Sequence, residues 1–330
     1  MTGTGRIHRV GFCGTVAQQP LRYDTGDLGL LDAAGAAGNP PPPGVRVVRV
    51  AYPPRRDAAE AAAGLLLQHR PARLVAVGDG ATLDVAKYAW RAAGGTAELV
   101  LAPVGSEPWR AFAPFTSLYE PGGGRVSRKD PQLGAARVVL DETALAARAA
   151  AVVALHRADS VVHGVEVLLH TGAGGWSQAL ARAGLAAIRG GGGVGTVIGA
   201  GLITEGFCGA GLGLAHALAS PLGAGAGRTH DVPNVILAPH VVRHYGERVD
   251  WRPVAGVLGT GSSAAAVATA LDGWRQRAGL PDTLQAAGFT KEQVRAAVPA
   301  ALRSSGFPYL PVATSEVEVA LLLERAWAGQ

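Results

Sequence analysis

Residues 74–87 read LVAVGDGATLDVAK: a short apolar run, a glycine turn and a segment with the character of a helix. The pattern predicts a buried strand over Leu74–Val77 and a helix that continues through Trp90. Glycines between a strand and a helix let backbone N–H groups and the helix N-terminus approach a phosphate. The turn at Gly78–Gly80 is therefore a candidate phosphate-binding site, although an ordinary strand-to-helix turn has the same pattern.

Similar apolar runs flank this stretch on both sides and alternate with Ala-rich helical segments. The runs lie just before Asp32, at Val45–Ala51, at Leu99–Val104 and at Arg137–Leu140. Strands separated by helices imply a mostly parallel sheet with helices on both faces. The first part of the chain is therefore predicted to be a Rossmann-like α/β domain.

The pattern changes after about Thr143, where long segments rich in Ala, Leu, Val and Gly have helical spacing. No further strand is indicated there, and Thr290 and Gln293 are spaced as a capping box at a helix start. We therefore expect two domains: an α/β dinucleotide-binding domain over residues 1–144 and an all-helical domain over residues 145–330.

The composition excludes several classes of protein. The chain has 330 residues, of which 48% are hydrophobic and 17% charged, so it is too apolar to be disordered. Its formal net charge is +5, but it contains no run of basic residues and only 5% of its residues are aromatic. A nucleic-acid partner is therefore not predicted.

The sequence predicts neither secretion nor a membrane span. Met1–Val10 lacks the apolar core of a signal peptide. Cys13 and Cys208 form neither a metal pair nor a disulfide framework, which favours the reducing cytoplasm. Residues 206–227 contain no Asp, Glu, Lys or Arg and are long enough to cross a bilayer. Their glycines and His216 favour a buried protein helix instead.

Four polar side chains in the helical half form a candidate metal site. Asp159 and His163 are four residues apart on a predicted helix and so point to one face. His216 lies on another predicted helix, and His230 follows in a glycine-rich loop. One carboxylate and three imidazoles suit Fe(II) or Zn(II), and also Co(II) or Ni(II). Taken singly, each histidine is more often a core or surface residue, so the spacing alone leaves the site open.

Together these motifs resemble the iron-containing (group III) alcohol dehydrogenase family, whose fold is shared with glycerol dehydrogenase and dehydroquinate synthase. The family's G-G-G-S-x-x-D-x-A-K motif corresponds to Gly78–Lys87, and its D-x-x-x-H-x-x-E motif to Asp159–Glu166. Its histidine segment corresponds to Leu214–His240, and a further segment to Gly279–Val294. The resemblance extends over nearly the whole chain from Gly29 onward.

The resemblance implies an NAD(P)-linked, metal-dependent alcohol dehydrogenase with its cofactor in the cleft between the two domains. The catalytic metal ligands would be Asp159, His163, His216 and His230. In such enzymes the metal binds the alcohol oxygen and lowers its pKa, and hydride passes to the nicotinamide.

The resemblance also implies which residues contact the cofactor. Asp32 would bind the adenosine ribose, and Lys129 would reach the cofactor region and take part in catalysis. Carboxylates at Asp32 and Asp79 disfavour a 2′-phosphate, so NAD is expected rather than NADP. The full set of candidate cofactor-binding residues is Asp32, Gly78, Asp79, Gly80, Asp84, Ser106 and Lys129.

The chain departs from the family pattern at three places. The loop Pro103–Glu107 lacks four residues and both threonines of the family's P-T-T-x-G-T-G-S-E. Asp79 places a carboxylate in the glycine turn, and Ser220 stands where many relatives have a second histidine.

Several functions remain open at this point. The substrate of a dehydrogenase would be a small-molecule alcohol or the C-terminus of a peptide. In the second case, oxidation of a C-terminal Thr would give a β-keto acid that loses CO2, as in daptide-type peptide tailoring. The alternatives are a lyase similar to the sugar-phosphate cyclases and a non-catalytic scaffold relative. A homodimer is common for this fold.

Overall fold

A computed structural model describes residues 14–134 and 136–329 of the chain. The predictions made from Met1–Val10 and from Cys13 lie outside these residues. Within them, Cys208 is a free cysteine.

The N-terminal part contains a six-stranded, fully parallel sheet with the strand order β1-β8-β5-β4-β2-β3. All five predicted strands are present, which confirms the predicted fold class. The edge strand β1 and an antiparallel hairpin, β6–β7, were not predicted from the sequence. The strands are β1 (Thr15–Gln18), β2 (Leu28–Leu31), β3 (Arg46–Arg49), β4 (Arg73–Gly78), β5 (Glu98–Pro103), β6 (Phe115–Tyr119), β7 (Arg125–Lys129) and β8 (Arg137–Leu140).

Helices cover the sheet and form the rest of the molecule. In the N-terminal part they are α1 (Ala33–Gly38), α2 (Arg56–His69), α3 (Gly80–Ala92) and α4 (Glu142–Ala146). The helical domain contains α5 (Ala150–Leu169), α6 (Gly175–Gly190), α7 (Gly193–Ala210), α8 (Leu214–Gly225), α9 (Asp231–Tyr245), α10 (Arg252–Leu258), α11 (Ala264–Arg277), α12 (Lys291–Leu302) and α13 (Glu316–Ala328). Among the described residues no strand follows β8, as the sequence predicts.

The strand register brings three predicted cofactor segments to one edge of the sheet. Leu31 of β2 pairs with Val77 of β4, and Gly78 pairs with Pro103 of β5. Because the three strands are parallel, the residues that follow them meet at their carboxyl ends. This edge of the sheet is where open α/β folds bind their ligands.

The segment after β5 is tied to α3 by a buried lysine. The Nζ atom of Lys87 donates to the carbonyl oxygens of Arg110, Ala113 and Phe115 at 2.8, 3.0 and 2.7 Å. It also lies 3.4 Å from the carboxylate of Asp84. Since a buried ammonium is stable only when its hydrogen bonds are satisfied, these contacts fix the chain between β5 and β6 against α3.

The uncharged stretch 206–227 is not one helix, contrary to the prediction. It forms the end of α7 and all of α8, which are separated at Gly211, where φ is +109°. Such a φ favours glycine, and it turns the chain between the two helices.

Of the described helices, α7 alone is long and apolar enough to cross a membrane by length and composition, and half of it is buried in the protein. Core helices of soluble proteins meet the same criterion. Its contact with α6 is close: a Cβ on Gly199 would lie 2.6 Å from the carbonyl oxygen of Gly184.

Candidate metal centre and dinucleotide turn

Three imidazoles converge from three segments of the helical domain. His163 lies on α5, His216 on the first turn of α8, and His230 at the N-cap of α9. One nitrogen of each ring lies within 4.8 Å of the corresponding nitrogens of the other two. The closest approach is 3.3 Å, between Nε2 of His163 and Nδ1 of His216. Helices distant in sequence thus bring the three predicted histidines together.

The electrostatics of this cluster suit a metal cation. Burial lowers the pKa values of His163 and His216 well below the ordinary value, so both rings are neutral and offer lone pairs. Burial also acts to lower the pKa of His230, but hydrogen bonding to Glu107 and the charge of Asp159 raise it overall. Nε2 of His230 is buried without a hydrogen-bond partner among the described residues. Three converging nitrogen donors, one of them unpartnered, fit a divalent metal ion.

Asp159 lies beside the three imidazoles. Its Oδ2 atom is 3.6 Å from Nδ1 of His163, and its Oδ1 accepts a hydrogen bond of 2.8 Å from the side-chain amide of Asn234. It is buried but is not part of the group whose donor atoms all lie within 4.8 Å of one another. Its role as a fourth ligand stays a prediction.

The predicted dinucleotide turn is present, but its backbone donors are already bonded. The Asp79 N–H donates to Oδ2 of Asp32 at 2.5 Å, and the Gly80 N–H donates to the Ser106 carbonyl at 2.7 Å. The Thr82 N–H donates to Oδ1 of Asp79 at 3.0 Å, so Asp79 is the N-cap of α3. These donors are the ones that such a turn would offer to a pyrophosphate.

Side chains also close over the turn. A Cβ on Gly80 would lie 2.5 Å from Cδ of Arg110 and 2.9 Å from Cβ of Glu107, so only glycine fits there. Burial, with a smaller contribution from the charge of Asp32, raises the pKa of Asp79 to about 6. A pyrophosphate therefore fits this turn only if these contacts are exchanged for contacts with the ligand.

The C-terminal part of the chain matches a family model. Residues 195–327, which include His216 and His230, match the description "Fe-containing alcohol dehydrogenase family, C-terminal". The fold of both domains agrees with this match, because the iron-containing alcohol dehydrogenase of Corynebacterium glutamicum superposes with a TM-score of 0.79. That superposition covers 96% of this chain and 95% of the other at 19% identity. The family match therefore covers the C-terminal region of the chain, and the likeness over both domains is one of fold.

Two further comparisons show what the chain is similar to. An alcohol dehydrogenase from Oenococcus oeni has a TM-score of 0.80 at 14% identity and covers 91% of this chain and 92% of its own. At identities of 14% and 19%, the structural likeness shows a shared fold. Lactaldehyde reductase of Escherichia coli (strain K12) is 38% identical over 108 residues, which are 29% of this chain and 28% of that enzyme. The sequence match thus spans less than a third of that reductase.

Sequence reasoning missed the contribution of Glu107 to the metal centre. Glu107 is buried, with Oε1 3.3 Å from Nδ1 of His230. Arg110 pairs with Glu107 at 3.0 Å and with Asp84 at 2.6 Å. The sequence feature that pointed to this region was the shortened loop Pro103–Glu107, because this loop ends at Glu107.

The predicted cofactor residues Asp84 and Lys129 differ in burial, and the roles of both stay predictions. Asp84 is buried in ion pairs with Arg110 and Lys87, and it also accepts the Ser117 N–H at 2.9 Å. Lys129 ends β7 with an exposed side chain. No hydrogen bond or ion pair joins it to the imidazoles within the described part of the chain, and its role stays a prediction without a supporting contact.

Replacement of Glu107 by glutamine is expected to weaken Fe(II) or Zn(II) binding by about 10- to 100-fold, the usual effect of losing a carboxylate behind a ligating histidine. The amide keeps the shape of the side chain but no longer favours the tautomer in which Nδ1 of His230 carries the proton. Competition with a chromophoric chelator measures the affinity. Glu98→Gln, at an exposed position at the start of β5, is the matched control. Equal affinities of Glu107→Gln and wild type would contradict this role.

Proposed function

We propose that the protein is a metal-dependent dehydrogenase that transfers hydride between an alcohol and a nicotinamide dinucleotide, NAD rather than NADP. The observation that carries the proposal is the convergence of His163, His216 and His230 in a chain whose C-terminal region matches the Fe-containing alcohol dehydrogenase family. Asp159 is the proposed fourth ligand. A divalent ion held by these residues would supply a Lewis acid for the substrate oxygen.

Glu107 and Trp109, which lie beside the imidazoles, would support this chemistry. Glu107 holds the proton of His230 at Nδ1 and leaves Nε2 free as a ligand atom. Trp109 places its ring edge-on to His163 and His230, with centroid distances of 5.9 and 6.1 Å, and contacts Phe207 at 5.7 Å. These apolar rings exclude water from one side of the cluster, which strengthens electrostatic interactions there.

The choice of NAD is supported by two carboxylates at the carboxyl ends of β2 and β4. Asp32 and Asp79 both lie 3.2 Å from the hydroxyl of Thr82, so they face the same small region. A 2′-phosphate in this region would meet two negative charges. The substrate is proposed to be a small-molecule alcohol or the C-terminal carbinol of a peptide. The cytoplasmic location and the homodimer stay predictions from the sequence.

One observation favours the alternative of a non-catalytic relative. The backbone donors of Asp79, Gly80 and Thr82 are bonded within the chain, so the turn is stable without a dinucleotide. The cofactor titration described next distinguishes a dehydrogenase from a non-catalytic relative.

The test is an anaerobic titration of Fe(II)- or Zn(II)-loaded protein with NADH and then NADPH, followed by nicotinamide fluorescence. We expect saturable binding of NADH, weaker binding of NADPH, and loss of both in Gly80→Asp. Alcohols and Thr-ending peptides are then screened for NAD reduction. Failure of the correctly folded, metal-loaded protein to bind either cofactor would reject the dehydrogenase and support the scaffold.

A further inference from the structure

A second feature is a small, partly open cavity next to the candidate metal centre. It lies between the N-terminus of α3, the β6–β7 hairpin and the loop before α9. Its walls include Tyr52, Gly80, Glu107, Tyr119, Arg125 and Thr229. Thr229 directly precedes His230, and Glu107 contacts the His230 ring, so the cavity adjoins the three imidazoles.

Two donors in this cavity lack an acceptor. Nε of Arg125 is buried without a hydrogen-bond partner among the described residues. The buried hydroxyl of Tyr119 accepts a hydrogen bond from the side chain of Tyr52, and its own proton has no acceptor among these residues. The two residues are paired across the hairpin, at the end of β6 and the start of β7. Burial of an unpartnered guanidinium nitrogen costs free energy, and a hydrogen bond to an anionic ligand would offset that cost.

The other charged groups of the cavity wall neutralise one another. Arg110 pairs with both Glu107 and Asp84, and Asp84 also pairs with Lys87 behind the wall. These four groups carry two positive and two negative charges. Arg125 has no ion-pair partner in the described chain, and its charge therefore gives the cavity a net positive character.

Arg125 lines the cavity together with Gly80 and Thr229. By contrast Arg128 and Lys129, on the same strand, are exposed. The basic residue of β7 that faces the site is thus Arg125, four positions before the lysine that the sequence suggested.

We propose that this cavity binds a carboxylate of the substrate, with Arg125 and Tyr119 as donors, so that the alcohol is a hydroxy acid. A guanidinium and a phenol suit the oxygen atoms of a carboxylate. The inference rests on the proposed dehydrogenase function. The reaction is then hydroxy acid plus NAD⁺ giving oxo acid, NADH and H⁺: the carbinol C–H breaks, its hydride reduces the nicotinamide, and the hydroxyl proton leaves.

The test measures binding, not turnover. Zinc-loaded protein is titrated by calorimetry with 3-hydroxybutyrate and with 1,3-butanediol, in which a neutral CH2OH replaces the carboxylate. We expect wild type to prefer the acid. In Arg125→Gln and Tyr119→Phe the affinity for the acid should fall, by about 10- to 100-fold for the arginine variant, since a charge-assisted bond is lost. The affinity for the diol should stay constant.

Matched variants show that the effect is local. Arg128→Gln removes an exposed arginine from the same strand and should leave the acid affinity unchanged. Arg125→Lys keeps the charge without the planar fork, and it should retain part of the preference for the acid. Melting temperatures of all variants identify any that fold poorly.

The phosphates of the dinucleotide are a second source of anionic oxygens for this cavity, besides the substrate carboxylate. Titration of the same variants with NADH distinguishes phosphate binding from carboxylate binding. If Arg125→Gln weakens NADH binding and spares the acid, the cavity belongs to the cofactor and the proposal is overturned. Equal binding of acid and diol by wild type overturns it as well. Arg125-dependent acid binding without turnover of any alcohol would leave the carboxylate site standing and reject the dehydrogenase.

Discussion

Replacement of His216 by alanine is expected to lower the affinity for Fe(II) or Zn(II) by a factor on the order of 10²–10³. Four-ligand zinc sites bind with roughly 10–16 kcal/mol, so one ligand of four contributes about 3 kcal/mol, which corresponds to that factor. The ring centroid of His216 is 5.2 Å from that of His163 and 4.7 Å from that of His230, and the latter two are 5.6 Å apart, so the three imidazoles form a triangle. The loss of His216 would leave two nitrogen donors and Asp159.

Metal content after dialysis and competition with a chelator measure this effect. His69→Ala is the control, because His69 is an exposed histidine at the end of α2. Metal-dependent oxidation of any substrate should fall in parallel with occupancy. Full metal content in His216→Ala, with affinity equal to that of His69→Ala, would show that the cluster is not the metal site.

Replacement of Asp79 by asparagine is expected to stabilise the protein at pH 7 by about 1–2 kcal/mol, after allowance for partial solvent screening of the carboxyl group. The pKa of Asp79 is raised from 3.8 to about 6, chiefly by burial. The folded state therefore binds the proton more tightly than the unfolded state, and wild type loses stability as pH rises from about 4 to about 6. Asparagine keeps the helix cap without the charge.

Thermal melts at several pH values test this prediction. The advantage of Asp79→Asn over wild type should be present at pH 7 and absent at pH 3, where both forms are uncharged. The variant should also bind NADH about 10-fold more tightly, because a negative charge near the pyrophosphate is worth more than 1 kcal/mol at short range. Asp141→Asn, at the N-cap of α4, is the control for NADH affinity. A pH-independent difference in melting temperature would contradict the burial argument.

The sheet and the histidine cluster could be predicted from the sequence because their signals are local. The run 74–87 contains its own strand, turn and helix, and the i, i+4 spacing of Asp159 and His163 fixes their common face. The hairpin β6–β7 gave a weaker signal, since β7 is polar and largely exposed. The register of that hairpin places Arg125 opposite Tyr119, and without this register the sequence does not show that Arg125 lines the cavity.

The role of Glu107 depends on contacts that sequence separation conceals. Glu107 and His230 are far apart in the chain, and Glu107 reaches its partner from a backbone with φ of +51°, which is rare for a residue with a side chain. Asp32 accepts hydrogen bonds from the backbone N–H groups of Gly35 and Asp79. The first is the local N-cap bond of α1, whereas the second depends on the pairing of β2 with β4. The ribose contact of Asp32, which the family resemblance implies, stays a prediction.

The ion pairs from His230 through Glu107 and Arg110 to Asp84 have a thermodynamic consequence. They connect His230, a candidate metal ligand, to the helix that begins at the dinucleotide turn. Two sites coupled in this way share one interaction free energy, and the coupling is reciprocal. Any factor by which metal occupancy changes the affinity for the dinucleotide also applies to the effect of the dinucleotide on metal retention.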